Sequence, residues 1–234
     1  MAIRAVVWDI DDTVSDHTGA ARTGALAHLG ALGLLAGFPS PEAAFARWEE
    51  VTETHYARFT RGELTFAEQR RERVRHFLGR ALDDAAADAW FGGYLRHHEA
   101  AWALFPDVLP ALDALTPAYR HGLLSNSSAA NQHRKLTALG VRERFEVLLC
   151  SDEIGHAKPA PAAFLAVCAA LRLAPHEVAY VGDHPDTDAA GADAAGLRGI
   201  WLDRPGLGRV PAGRAPARRI TDLADLPALL AGPA

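Results

Sequence analysis

Asp9, Asp11 and Asp12 fall within four residues at the end of a short apolar run, and Asp183 and Asp188 follow another such run far along the chain. Ser125 and Asn126 close a third run. Lys158 comes shortly after a fourth, behind Ser151 and Asp152. Singly, each has an ordinary reading: an acid after a strand is a turn residue or a helix cap, Ser-Asn is a cap or turn, and a lysine is a solvated cation. Together they mean something else. At least four carboxylates at one place repel strongly unless a cation sits among them. Hard oxygen donors of this kind suit Mg²⁺, which keeps waters and binds through few carboxylates plus a substrate phosphate.

The surrounding elements must bring these residues together. Ile3 to Trp8 is apolar and rich in β-branched residues, which predicts a buried strand. From about Asp16 to Trp102 the pattern turns helical. Leu26, Leu29 and Leu32 or Leu34 recur at helical spacing, and Pro41-Glu42 opens a second helix with Phe45, Trp48 and Val51. Thr65 and Glu68 form a capping box for a third helix, and a fourth runs from about Asp83 to Trp102. From Pro106 helices and strands alternate. Helices near 108–115, 129–139, 159–171 and 188–195 precede strands at 120–125, 146–150, 178–181 and 199–202 respectively. Pro205 to Pro216 reads as a loop, and Thr221 as the cap of a last helix carrying Leu223, Leu226, Leu229 and Leu230. Such alternation predicts a parallel sheet flanked by helices, with the helical block inserted after the first strand. In an open parallel sheet, ligands bind beyond the carboxyl ends of the strands, where all of the acids fall.

Bulk properties narrow the partners. A net charge of −5 argues against nucleic acid, and means that an anionic substrate needs a locally positive site. No apolar run approaches the roughly 20 residues of a membrane span. Cys150 and Cys168 sit in apolar stretches as packing thiols, too few for a disulfide framework or a zinc site, which fits a reducing cytoplasm. His97-His98 on a helix point in different directions and chelate poorly. His184 is a candidate for touching substrate. Gly206-Leu207-Gly208 is no nucleotide loop, because Pro211 and Pro216 block the helix that such a loop requires. Arg70, Arg71, Arg73 and Arg75 read as a solvated helix face.

Asp9-Ile10-Asp11-Asp12-Thr13 resembles the Asp-x-Asp-x-Thr signature of haloacid dehalogenase superfamily phosphatases. Leu123-Leu124-Ser125-Asn126 resembles their second motif, Lys158-Pro159 the third, and Gly182 to Asp188 the fourth. All four occur in order, at strand ends, across nearly the whole chain. The resemblance implies an α/β fold: a three-layer, Rossmann-like parallel sheet core over 1–15 and 104–234, with an inserted helical-bundle cap of the C1 type over 16–103. It implies a Mg²⁺-dependent phosphatase for a small phosphomonoester, with an aspartyl-phosphate on Asp9. Asp9, Asp183 and the Asp11 carbonyl would hold the metal, and Asp188 would orient metal-bound waters or Lys158. Asp11 would protonate the leaving oxygen and then activate water, a double duty that calls for a pKa raised by the neighbouring acids. Ser125, Asn126 and Lys158 would hold the phosphoryl group. Pro159 suits a first helical position, which would aim a helix N-terminus at the site. Asp12 stands where many relatives have Gly and is not expected to be catalytic. The same fold also serves sugar-phosphate phosphomutases, which share all four motifs, and 2-haloacid dehalogenases, which lack the second motif-one acid and need no metal. A non-catalytic binding module would not need both Asp9 and Asp11.

Overall fold

The computed structural model describes residues 2–206, 208 and 218–231. The chain divides into two compact units, Met1–His17 with Ala103–Ala234, and Thr18–Trp102.

The first unit is built on six parallel strands: β1 (Ala5–Trp8), β2 (Arg120–Ser125), β3 (Val147–Cys150), β4 (Val178–Gly182), β5 (Arg198–Leu202) and β6 (Arg219–Ile220). Their order is β3-β2-β1-β4-β5-β6. Central β1 is buried on both faces, which is why it reads as a continuous apolar run rather than an alternating one. Val6 and Trp8 pack on one side with Val108, Leu112 and Leu115 of α5 (Val108–Leu115), Leu136 of α6 (Ala129–Ala138) and Leu226 and Leu230 of α10 (Leu226–Ala231). Ala5 and Val7 pack on the other with Phe164, Val167 and Leu171 of α8 (Pro161–Leu171) and Ala192 of α9 (Gly191–Ala194). Between these lies the one-turn α7 (Ser151–Ile154).

Register decides where the chemistry falls. Trp8 lies opposite Leu123 on one side and Val181 on the other. The residues just beyond, Asp9, Ser125 and Asp183, therefore emerge at one edge of the sheet.

Four details differ from the sequence expectation. β6 is a two-residue strand, too short for any periodicity to reveal. Asp222, rather than Thr221, caps the last helical segment by accepting from the Ala224 N–H at 2.7 Å. Pro161 takes the first helical position of α8, and Pro159 lies in the preceding turn closed by the Ala160 N–H on the Ala157 carbonyl. That turn folds Lys158 back towards the sheet before the helix can begin. The helix expected from Asp188 begins instead as a π-helical turn over Pro185–Ala190, where the His184 carbonyl receives both the Asp188 and Ala189 N–H groups. The expected loop Pro205 to Pro216 lies mostly outside the described residues.

That wide turn presses on β5. A Cβ on Gly199 would lie 2.1 Å from the Ala189 carbonyl oxygen, with backbone on both sides and nothing able to yield. Gly199→Ala is expected to cost about 3 kcal/mol, read as a lower urea midpoint with an unchanged slope.

The second unit holds α1 (His17–Ala31, of which His17 belongs to the first unit), α2 (Pro41–Thr60), α3 (Phe66–Leu78) and α4 (Asp84–Ala100). Trp48, Val51, Val74, Phe77, Phe91 and Tyr94 lie in its core. The Thr65–Glu68 capping box is present at the start of α3. The arginine cluster is not one solvated face. Arg71 and Arg75 pair with Asp84, but Arg73 is buried, its guanidinium 5.0 Å from the Trp48 ring and 5.1 Å from that of Phe91. Among the described residues, no helix is long and apolar enough to cross a membrane.

Candidate active site

Asp9, Asp11, Asp12, Ser125, Asn126, Lys158, Asp183, His184, Thr187 and Asp188 line one cavity of about 260 Å³ in the first unit. Residues from positions as far apart as 9 and 188 thus meet at a single rim. Asp152 does not join them; its carboxylate caps α6 by accepting from the Ala129 N–H at 3.0 Å.

The floor is a buried ion cluster. Lys158 Nζ donates to Asp9 Oδ1 at 2.5 Å, to Asp188 Oδ1 at 2.7 Å and to the Tyr180 hydroxyl at 2.8 Å. All three donors of the ammonium are used, so it is fixed in place. Burial alone would discharge Lys158, but Asp9 and Asp188 outweigh it and hold its pKa above the ordinary range. Asp188 is anchored from behind, its Oδ2 accepting from the His184 N–H at 3.0 Å. Gly182 makes room for it, because a Cβ there would sit 2.4 Å from the Asp188 carboxyl carbon. Asn126 clamps the Lys158 backbone at both ends, accepting from its N–H at 2.7 Å and donating to its carbonyl at 2.8 Å. Asn126 therefore positions Lys158 as well as facing the cavity.

One lysine does not neutralise so many acids. Burial, followed by the charges of Asp188 and Asp11, pushes the Asp9 pKa from 3.8 to about 7 against the opposing pull of Lys158. Burial, then Asp9, Asp188 and Asp12, pushes Asp183 to about 8. Oxygens of Asp9, Asp183 and Asp188 all lie within 4.8 Å of one another. This excess of converging, hard, negatively charged donors fits a divalent cation such as Mg²⁺. Asp9 and Asp183 are the better candidates to hold it, because both Asp188 oxygens already have donors.

This has a measurable consequence. Without metal, Asp9 and Asp183 keep protons that the unfolded chain has lost, between about pH 4 and their raised pKa values. Their contribution to stability falls as pH rises through that window. A cation replaces those protons. The gain in melting temperature from MgCl₂ over EDTA is expected to grow steadily from acid to mildly alkaline pH; thermal denaturation showing a flat or declining gain would contradict the assignment.

Asp11 behaves differently from the expectation. Burial pushes its pKa up, but the Lys135 and His17 charges and hydrogen bonds from Lys135 and Gln132 outweigh this and hold it below the ordinary carboxylate value. Lys135 donates to Asp11 Oδ1 and Gln132 Nε2 donates to Oδ2 at 2.7 Å. At rest Asp11 is a carboxylate, and neighbouring acids do not raise it. Asp12 adopts φ +59°, a left-handed conformation that glycine takes freely and Asp tolerates better than most residues. This accounts for an Asp where Gly is common.

Sequence reasoning missed Gln132, Lys135 and Tyr180. Gln132 and Lys135 are buried and sit three apart on α6, so they share a face. A Gln and a Lys bracketing the sheet side of a helix next to core Leu136 was the signal available. Tyr180 was hidden as one more large residue in a buried strand.

A family model of haloacid dehalogenase-like hydrolases matches residues 3–196. The chain is 35% identical over 182 residues to a phosphoserine phosphatase of Thermus thermophilus, covering 70% of each chain. It is 30% identical to a glyceraldehyde 3-phosphate phosphatase of Methanopyrus kandleri, over 83% of this chain and 82% of the relative. The magnesium-bound HAD-hydrolase YfnB of Bacillus subtilis superposes with a TM-score of 0.80 at 21% identity, covering 99% of this chain and 100% of that one. The match over most of the chain, on a sheet whose strand ends carry the acids, lysine and serine of the four motifs, makes this protein a haloacid dehalogenase-like hydrolase.

Proposed function

We propose that this hydrolase is a Mg²⁺-dependent phosphatase of a small phosphomonoester, working through an aspartyl-phosphate on Asp9. One observation carries the reading: the buried carboxylate of Asp9 is tied to Lys158 through one oxygen, beside Asp183 and a separately held second acid, Asp11. Among the described residues, Lys158 is the hydrogen-bond donor to that carboxylate and engages Oδ1, which leaves Oδ2 for attack. The relatives named for phosphoserine and glyceraldehyde 3-phosphate support a small phosphate ester as substrate.

Asp9 attacks phosphorus, and the bond to the leaving oxygen breaks as that oxygen takes a proton from Asp11. A Mg²⁺ ion held by Asp9 and Asp183 would supply charge neutralisation for the phosphoryl group. A phosphate dianion beside Asp11 raises the pKa of that carboxyl, so Asp11 acquires its proton when substrate binds. Once the leaving group departs, Asp11 is again the carboxylate seen at rest and takes the proton of the water that hydrolyses the acyl phosphate. Ser125 donates to a phosphoryl oxygen and Lys158 balances its charge. Dehalogenation needs neither Asp11 nor the Asp183 cluster, which favours the phosphatase. The two buried free thiols suit a reducing, cytoplasmic setting.

The test is a phosphate-release screen over a panel of metabolite phosphates, with and without MgCl₂. Release that requires the metal supports the reading. Undiminished turnover in EDTA, or none on any ester, refutes it.

A further inference from the structure

We propose that Gln132 is a positioning residue that sets Asp11 and Ser125 in register with each other. The proposal rests on the phosphatase reading, in which Asp11 protonates the leaving oxygen and Ser125 binds a phosphoryl oxygen. Gln132 is fully buried on α6 and does not line the cavity. Its side-chain nitrogen donates to Asp11 Oδ2 at 2.7 Å and to Ser125 Oγ at 3.3 Å. An amide carries two N–H groups, and both are spent on site residues from different motifs. Its oxygen, by contrast, has no hydrogen-bond partner among the described residues. Buried polar atoms are normally hydrogen-bonded, so an orientation that leaves the oxygen unpaired is held by what the nitrogen contacts. Turned the other way, that oxygen would face the Asp11 carboxylate and be repelled. The orientation is therefore dictated by Asp11 and Ser125.

Two effects follow. Because Ser125 Oγ accepts from Gln132 and lines the cavity, its own O–H is left to donate to a phosphoryl oxygen. Because Gln132 and Lys135 take one Asp11 oxygen each, the carboxyl is held in one plane at a fixed distance from the serine. The group that protonates the leaving oxygen and the group that orients the phosphoryl oxygens then move as one body, which is the condition for efficient transfer.

The test exploits leaving-group chemistry. A p-nitrophenolate departs with little help from an acid, whereas a phenolate needs it. kcat/KM would be measured for phenyl phosphate and p-nitrophenyl phosphate, with saturating MgCl₂, for wild type, Gln132→Met, Gln132→Asn and Asp11→Asn. Gln132→Met is expected to lose roughly 10²-fold on phenyl phosphate and under about 10-fold on p-nitrophenyl phosphate, the direction also shown by Asp11→Asn. If the Met variant does not fold, the shorter amide of Gln132→Asn, which cannot span both partners, carries the same comparison. Equal losses on both esters, or none on either, overturn the proposal. Lack of discrimination in Asp11→Asn overturns the role given to Asp11 and the inference with it, while a wild type inactive on both esters and on every ester of the metabolite panel overturns the phosphatase reading itself.

Discussion

Asp9→Asn is expected to lower kcat/KM for metal-dependent phosphate release by at least about 10⁴-fold while leaving the protein folded and no less stable at alkaline pH. The amide keeps the shape of the carboxyl but is no nucleophile. Its effect on stability has the opposite sign to that of most buried polar changes. Asp9 is ionised at a cost, as its pKa of about 7 indicates, because burial and the neighbouring acids oppose its charge. A neutral amide removes that cost, and Lys158 still has Asp188 at 2.7 Å. Activity lost together with a retained or raised melting temperature separates a chemical role from a structural one. A variant that retains more than a hundredth of the wild-type rate, or that melts far below it, would contradict the assignment.

Lys158→Met is expected to damage stability and catalysis together. Removing the ammonium leaves Asp9 and Asp188 facing each other in a buried site with no cation between them. Breaking a buried ion pair from one side costs roughly 3–5 kcal/mol. In this cluster the loss should be largest in EDTA at alkaline pH, where Asp9 is charged. It should shrink when MgCl₂ is added, or when acid protonates Asp9. Activity should fall by about 10²- to 10³-fold even with saturating metal, because a fixed donor to the reacting carboxylate is gone. Lys158→Arg should not restore it. A planar guanidinium cannot present three donors from one point to Asp9, Asp188 and Tyr180. Urea denaturation at two pH values, with and without metal, checks the stability claim. An unchanged midpoint in EDTA would show that Lys158 does not hold the buried acids together.

The sequence determined the elements and the types of chemistry. Strand β1 was legible because a central parallel strand is apolar on both faces, and the third helix because its capping box is local. The acids, the serine and the lysine were legible because each follows a strand, and strand ends in a parallel sheet share one rim. Tertiary structure alone decided how these groups are held. The clamp of Asn126 on Lys158 spans 32 residues of chain, and the hold of Gln132 on Asp11 spans 121. Neither leaves a periodic trace. The pKa of Asp11 was misjudged for the same reason: counting nearby acids in sequence raises it, whereas Lys135, 124 residues away and buried against it, lowers it. Side-chain periodicity is a property of neighbours along the chain, whereas charge and hydrogen bonding depend on neighbours in space, so the ingredients of this site could be read from the sequence while their electrostatic balance waited for the fold.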